Sequence, residues 1–207
     1  IVGFEITNRT ATAFDSLWAG LWFDWDIDEA HYDANYAGYD ATRKLGCAWA
    51  AAPGLPYVGV MALSGATAGY SAITNDGSAG PWGVYNGFTK AEKWDVLQGG
   101  TGTLSAGPAD ISNALATGPY RVPAGGRALV VFALLAANSL AQLQAVADQA
   151  AAFYTGQVLT DTPPEGPPGA RVPAVVLGPA VPNPFNPQTR FTLEVQSART
   201  VRVDLFD

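Results

Sequence analysis

LWAGLWFDWDIDEAHYDANYAGYD, residues 17–40, is the stretch from which the rest of the chain is read. Leu17, Ala19, Leu21 and Phe23 alternate with Trp18, Gly20, Trp22 and Asp24, which is the period of two that a pleated strand imposes. Large apolar groups fall on both faces, so the pattern predicts a strand buried on both sides, in the middle of a sandwich. Carboxylates then follow at alternate positions, Asp24, Asp26 and Asp28, with Glu29, Asp33 and Asp40 beyond them. Like charges this dense repel unless a cation or solvent separates them. The reading is a core strand that delivers carboxylates to a calcium-binding loop. Asp24, Asp26 and Asp28 have the spacing of the first ligands of an EF-hand loop, although that loop's Gly and its terminal bidentate Glu are missing. Asp33 or Asp40 closes the Ca2+ site in this reading, and Asn35 or backbone carbonyls supply neutral oxygens. The alternative is a solvated acidic loop that protects a sheet edge from pairing.

Composition narrows the class. Of 207 residues, 48% are hydrophobic and only 14% charged, enough apolar material for a packed core and too little charge for a disordered chain. Eleven Lys and Arg against 18 Asp and Glu leave a net charge of −7, which argues against nucleic acid as a partner and suits the recruitment of divalent cations. With 23 Gly, 15 Pro and 6 Trp, the profile is that of a turn-rich, aromatic-rich β-sandwich. The single Cys47 lies in the apolar run LGCAWAA and reads as a small buried hydrophobe, with no disulfide framework in the chain. No apolar run approaches the roughly 20 residues that span a bilayer. The chain opens at Ile1 without Met and ends inside a strand pattern, as a processed or excised piece does.

In chain order, strands are expected at residues 2–7, 17–25, 43–50, 57–63 and 127–137, the last being the strongest buried one. Asn8-Arg9-Thr10 has the form of a glycosylation sequon but reads as a turn between strands. Residues 64–87, rich in Gly, Ser, Ala and Asn, read as a long loop with short strands. Capping boxes at Thr89-Lys-Ala-Glu92 and Ser139-Leu-Ala-Gln142 open two short helices, reaching about Leu97 and Tyr154. In the second, Leu140, Leu143, Val146, Ala147 and Ala150 form one apolar stripe for core packing. Gly99-Gly-Thr-Gly102 lacks the strand, helix and Lys of a phosphate loop and is turn chemistry. The organisation is then a β-sandwich module over residues 1–156, a Pro-rich linker over 157–173, and a partial Ig-like segment over 174–207, whose strands at 190–195 and 200–206 form a hairpin.

Pro182-Asn-Pro-Phe-Asn-Pro187, the alternating Arg190-Phe191-Thr192-Leu193, and Val201-Arg-Val-Asp-Leu-Phe-Asp207 resemble the start of the Ig-like C-terminal domains of secreted bacterial proteins, including type IX secretion sorting domains. The Asp-x-Asp loop with Ala37-Gly-Tyr-Asp40 and Leu45-Gly46, and the stretch from Gly118-Pro-Tyr to Ser139, resemble modules that precede such domains. The resemblance implies export and a location outside the cell or on a bacterial surface. The family pattern continues with further strands that this sequence does not contain.

Catalysis has little to stand on. A Ser-His-Asp arrangement needs His31, the one histidine, which sits in an acidic loop with no nucleophile motif around any Ser. A lone His and a lone Cys do not make a zinc site. Tyr32, Tyr36 and Tyr39 are the candidates for stacking on a sugar, with the tryptophans read mainly as core. Phe191, Leu193, Val195, Val201, Val203 and Leu205 are candidates for an assembly segment, because strands without partners can be completed by a neighbour. The functional expectation is a non-catalytic, calcium-stabilised structural or adhesive module that self-associates through its tail. The alternatives are an accessory domain of a secreted peptidase or other hydrolase, and a carbohydrate-binding module.

Overall fold

The computed structural model describes residues 1–99, 102–160, 175–177 and 193–195. The chain divides into two compact units, residues 1–161 and 162–207. The first contains, in order, β1 (Val2–Thr7), β2 (Phe14–Asp24), a 3-10 turn (Glu29–Ala34), β3 (Asn35–Asp40), β4 (Leu45–Ala50), β5 (Tyr57–Ala62), β6 (Thr67–Thr74), α1 (Lys90–Leu97), β7 (Ser105–Ala109), β8 (Ile111–Val122), β9 (Arg127–Ala137) and α2 (Leu140–Thr160). One antiparallel sheet runs β1-β9-β5-β4-β3-β7 and a second runs β2-β8-β6. The protein is mainly β, a sandwich of two sheets with two helices.

The alternation along β9 shows how the layers form. Val130 and Phe132 point into the space between the sheets, where they join Val60, Tyr70, Ile111 and Leu115. Val131 and Ala133 point the other way, and Ala133 packs with Leu45, Cys47, Leu143 and Ala147 beneath α2. A strand buried on both faces reads as a continuous apolar run because period-two alternation no longer separates core from solvent. The stripe of α2 is thus divided: Leu143 and Ala147 are fully buried, Val146 and Ala150 partly, and Leu140 is 40% exposed. On the opposite side α1 covers the three-stranded sheet, with Val96 packed on Ile73, Trp82 and Ala114. The layers are therefore helix, sheet, sheet, helix.

The stretch from Leu17 does not form the central strand expected of it. β2 is an edge strand, and the central place in its sheet belongs to β8, buried without interruption from Ile111 to Gly118. The inner face of β2 does carry Ala19, Leu21 and Phe23 into the sandwich. Its outer face is apolar because α1 and the segment before it pack there, with Trp22 tilted on Phe88 at 4.9 Å between ring centroids. The acidic loop is also shorter than expected, since residues 35–40 form β3, paired with β4 on one side and β7 on the other.

Residues 64–87 are not chiefly loop. They contain the eight-residue β6, with Tyr70 to Thr74 nearly inaccessible. Its small residues are there for close approach: a Cβ at Gly69 would come within 2.6 Å of the Gly99 nitrogen and 2.8 Å of the Leu97 carbonyl. The capping box at Thr89 and Glu92 forms as expected, and so do the strands Val2–Thr7 and Arg127–Ala137. Helix α2 runs to Thr160, past the expected end at Tyr154 and into residues 157–160 expected as linker. Asn8 is buried, and its Nδ2 lies within 3.0 Å of the carbonyls of Thr12, Val122 and Pro123, so the sequon is a structural turn.

In the second unit, β10 (Val175–Leu177) pairs with β11 (Leu193–Val195) in an antiparallel ladder. The expected hairpin partner at 200–206, the linker residues 161–173 and the assembly candidates Phe191, Val201, Val203 and Leu205 lie outside the described residues. No described helix is long and apolar enough to cross a membrane.

Candidate functional site

Carboxylates converge at one end of the three-stranded sheet. Asp24 ends β2, Asp26 follows it, and Asp110 occupies the corner between β7 and β8. Ligand oxygens of these three residues lie within 4.8 Å of one another. Antiparallel pairing of β2 with β8 produces the meeting, since Asp24 stands opposite Ser112, two residues past Asp110. Asp24 and Asp26 are exposed and Asp110 half-buried, so the cluster opens to solvent.

Asn75, just past β6 and only 1% exposed, is the hub beneath it. Its Nδ2 donates to Asp24 Oδ1 at 3.0 Å and to Asp110 Oδ1 at 2.6 Å. The Ser112 hydroxyl lies 2.7 Å from Asn75 Oδ1 and 3.2 Å from Asp24 Oδ1. The backbone of Asn75 is engaged too: its N–H donates to the Asp110 carbonyl, and its carbonyl accepts from Val84 and Tyr85. Tyr85 donates its hydroxyl to Asp110 Oδ2, and this hydrogen bond to a carboxylate pushes the phenol pKa up to about 12. Neutral donors thus orient two carboxylates without neutralising them. An oxygen-only set of three carboxylates with hydroxyls and an amide beside it suits a hard divalent cation such as calcium.

The five expected ligands separate into groups. Asp24 and Asp26 are in the cluster; Asp28 and Asp40 have partners elsewhere. Asp28 caps the 3-10 turn by accepting from the Ala30 N–H, and its Oδ2 lies 2.6 Å from His31 Nδ1. That hydrogen bond lowers the Asp28 pKa and raises that of the exposed His31. Asp40 accepts from Arg43 Nη1 at 2.8 Å and from Gln144 of α2 at 3.1 Å, while Arg43 also reaches Asp148 at 2.8 Å. The Asp40 carboxyl is held low by these hydrogen bonds against a desolvation that raises it. Asp33 follows in the 3-10 turn, outside the converging set. Asp110 completes the set instead. Its signal in the sequence was the Pro108-Ala-Asp110 corner, legible only once β8 is recognised as a strand.

The tyrosines do not make one platform. Tyr32 is 51% exposed, Tyr36 stacks on Trp49 at 5.6 Å, and Tyr39 stacks on buried Tyr70 at 4.8 Å. Tyr36 and Tyr39 leave β3 on opposite faces, as odd spacing requires. The row Tyr36-Trp49-Tyr57 crosses three strands with its rings stacked nearly parallel. Cys47 is 4% exposed, and burial pushes its thiol pKa up to about 11, away from reactivity. Comparison with protein-family models, characterised proteins and solved structures finds no match to this chain.

Proposed function

We propose that this protein is a non-catalytic structural or adhesive module, exported to the bacterial surface, whose sheet end is stabilised by calcium. The convergence of Asp24, Asp26 and Asp110 carries the reading. Three carboxylates this close oppose folding by mutual repulsion, and a bound dication removes that opposition. Because the ligands come from β2, its following segment and the β7–β8 corner, the ion would tie together both strands of one pairing. Calcium is expected to raise the melting temperature, by roughly 5–10 °C at a hundredfold excess over Kd. Asp24→Asn and Asp110→Asn are expected to abolish the shift, while Asp28→Asn and Asp40→Asn retain it. A wild-type melting curve that is the same in calcium and in chelator rules the site out.

Self-association belongs to the same proposal. The ladder of β10 with β11 is a template that a strand from a second copy can extend. Sedimentation should show a concentration-dependent oligomer that is lost on deleting residues 174–207; a strict monomer defeats this part.

A further inference from the structure

The outer face of the three-stranded sheet has a low floor. Gly20 of β2, Ala116 of β8 and Gly69 of β6 are register partners in one row, and Trp22 faces Ala114 in the next. Helix α1 settles into the first row, where a Cβ on Gly20 would approach Leu97 Cδ2 to 2.6 Å. Beside it, over Trp22, lies an open groove of about 490 Å³ whose lining includes Trp22, Val84, Phe88, Val96, Leu97 and Ala114. Cavities of about 300–1,000 Å³ with apolar walls and few polar groups are what small ligands occupy.

The polar group here is Lys93, the one charged residue of the lining. Its Nζ stands 5.8 Å from the centroid of the Phe88 ring. Among the described residues it has no carboxylate partner. Lys93 is exposed, so its ammonium stands at the rim as the one charge beside the apolar groove, and in a chain of net charge −7 that is a position for an anion. Asp24 lies two residues along β2 from Trp22 but is not in the lining, so the wall itself carries a single, positive charge.

We propose that this groove binds a medium-chain alkyl carboxylate, with the chain lying along Trp22, Phe88 and Val96 and the carboxylate on Lys93 Nζ. The site is separate from the carboxylate cluster and does not depend on calcium. The test is calorimetric titration of the full chain with decanoate, with decanol and decylamine as neutral and cationic counterparts. Saturable one-to-one binding of decanoate is expected, with decanol roughly tenfold weaker and decylamine weaker still. Lys93→Met, an exposed substitution, should reduce decanoate to the affinity of decanol and leave decanol unchanged. Val84→Trp should remove both by filling the groove. Folded wild-type protein that does not bind decanoate overturns the proposal, as does full affinity in either variant or decylamine binding more tightly than decanoate.

Discussion

Asn75 shows how much one buried amide can organise. It spends both Nδ2 protons on carboxylates and its backbone on Asp110, Val84 and Tyr85. Truncating it takes a partner from the buried Ser112 hydroxyl as well as from the two carboxylates, at about 1–3 kcal/mol. Asn75→Ala is therefore expected to lower stability by that amount in urea melts, and to weaken any calcium response by releasing Asp24 and Asp110. His31 offers a sharper check at the same scale. Its folded pKa is raised above the ordinary 6.5 by the Asp28 carboxylate, so the proton binds more tightly in the folded state. The stabilisation is present below the unfolded pKa and is lost as pH rises through the folded one. The lowered pKa of Asp28 makes the opposite contribution, lost as pH falls below its ordinary 3.8. The pair thus acts in the mildly acidic window between them. An NMR titration of the imidazole should give a midpoint above 6.5 that returns towards it in Asp28→Asn; an unchanged midpoint would show that the pair does not form in solution.

Helix α1 depends on its ends. Thr89 Oγ1 accepts from the Glu92 N–H and the Glu92 carboxylate accepts from the Thr89 N–H, so both cap donors are satisfied. The helix has only eight residues, too few to persist without tertiary support. Thr89→Ala should cost about 1 kcal/mol. Gly69→Val should cost more, because the clash is with backbone at Leu97, the last helical residue, and at Gly99 beyond it, rather than with a movable side chain. Amide exchange should report this as α1 opening while β9 stays protected; equal loss of protection in both would mean that α1 is not a separate element. This element also shows the limit of sequence reading. The capping box at 89–92 was legible because capping is local, whereas the need for glycine at 69 was not, because its reason is the end of α1, distant in sequence and packed on the sheet there.

For the first unit as a whole, the two sheets share one interior. Phe132 is 1% exposed at its centre, with Val130, Val60, Leu115 and Ile111 around it. Phe132→Ala should destabilise by about 3–5 kcal/mol. Because the sheets bury one another, this loss should appear in a single cooperative transition read equally by tryptophan fluorescence and by far-UV circular dichroism. Two separated transitions would show that the layers unfold independently.

The sequence by itself determined the β character of this chain, the strands β1, β2, β4, β5 and β9 and its helix starts, since these follow from period-two alternation and from capping within a few residues. It also placed carboxylates at the end of β2. What it did not contain was their company. Asp110 is 84 residues from Asp26 in sequence and reaches it only because β2 pairs with β8 in this register. The same pairing moved β2 to a sheet edge and put β8 at the centre. Alternation tells which way a side chain points from its strand; only the tertiary structure decides which strand lies beside it, and so which charges meet.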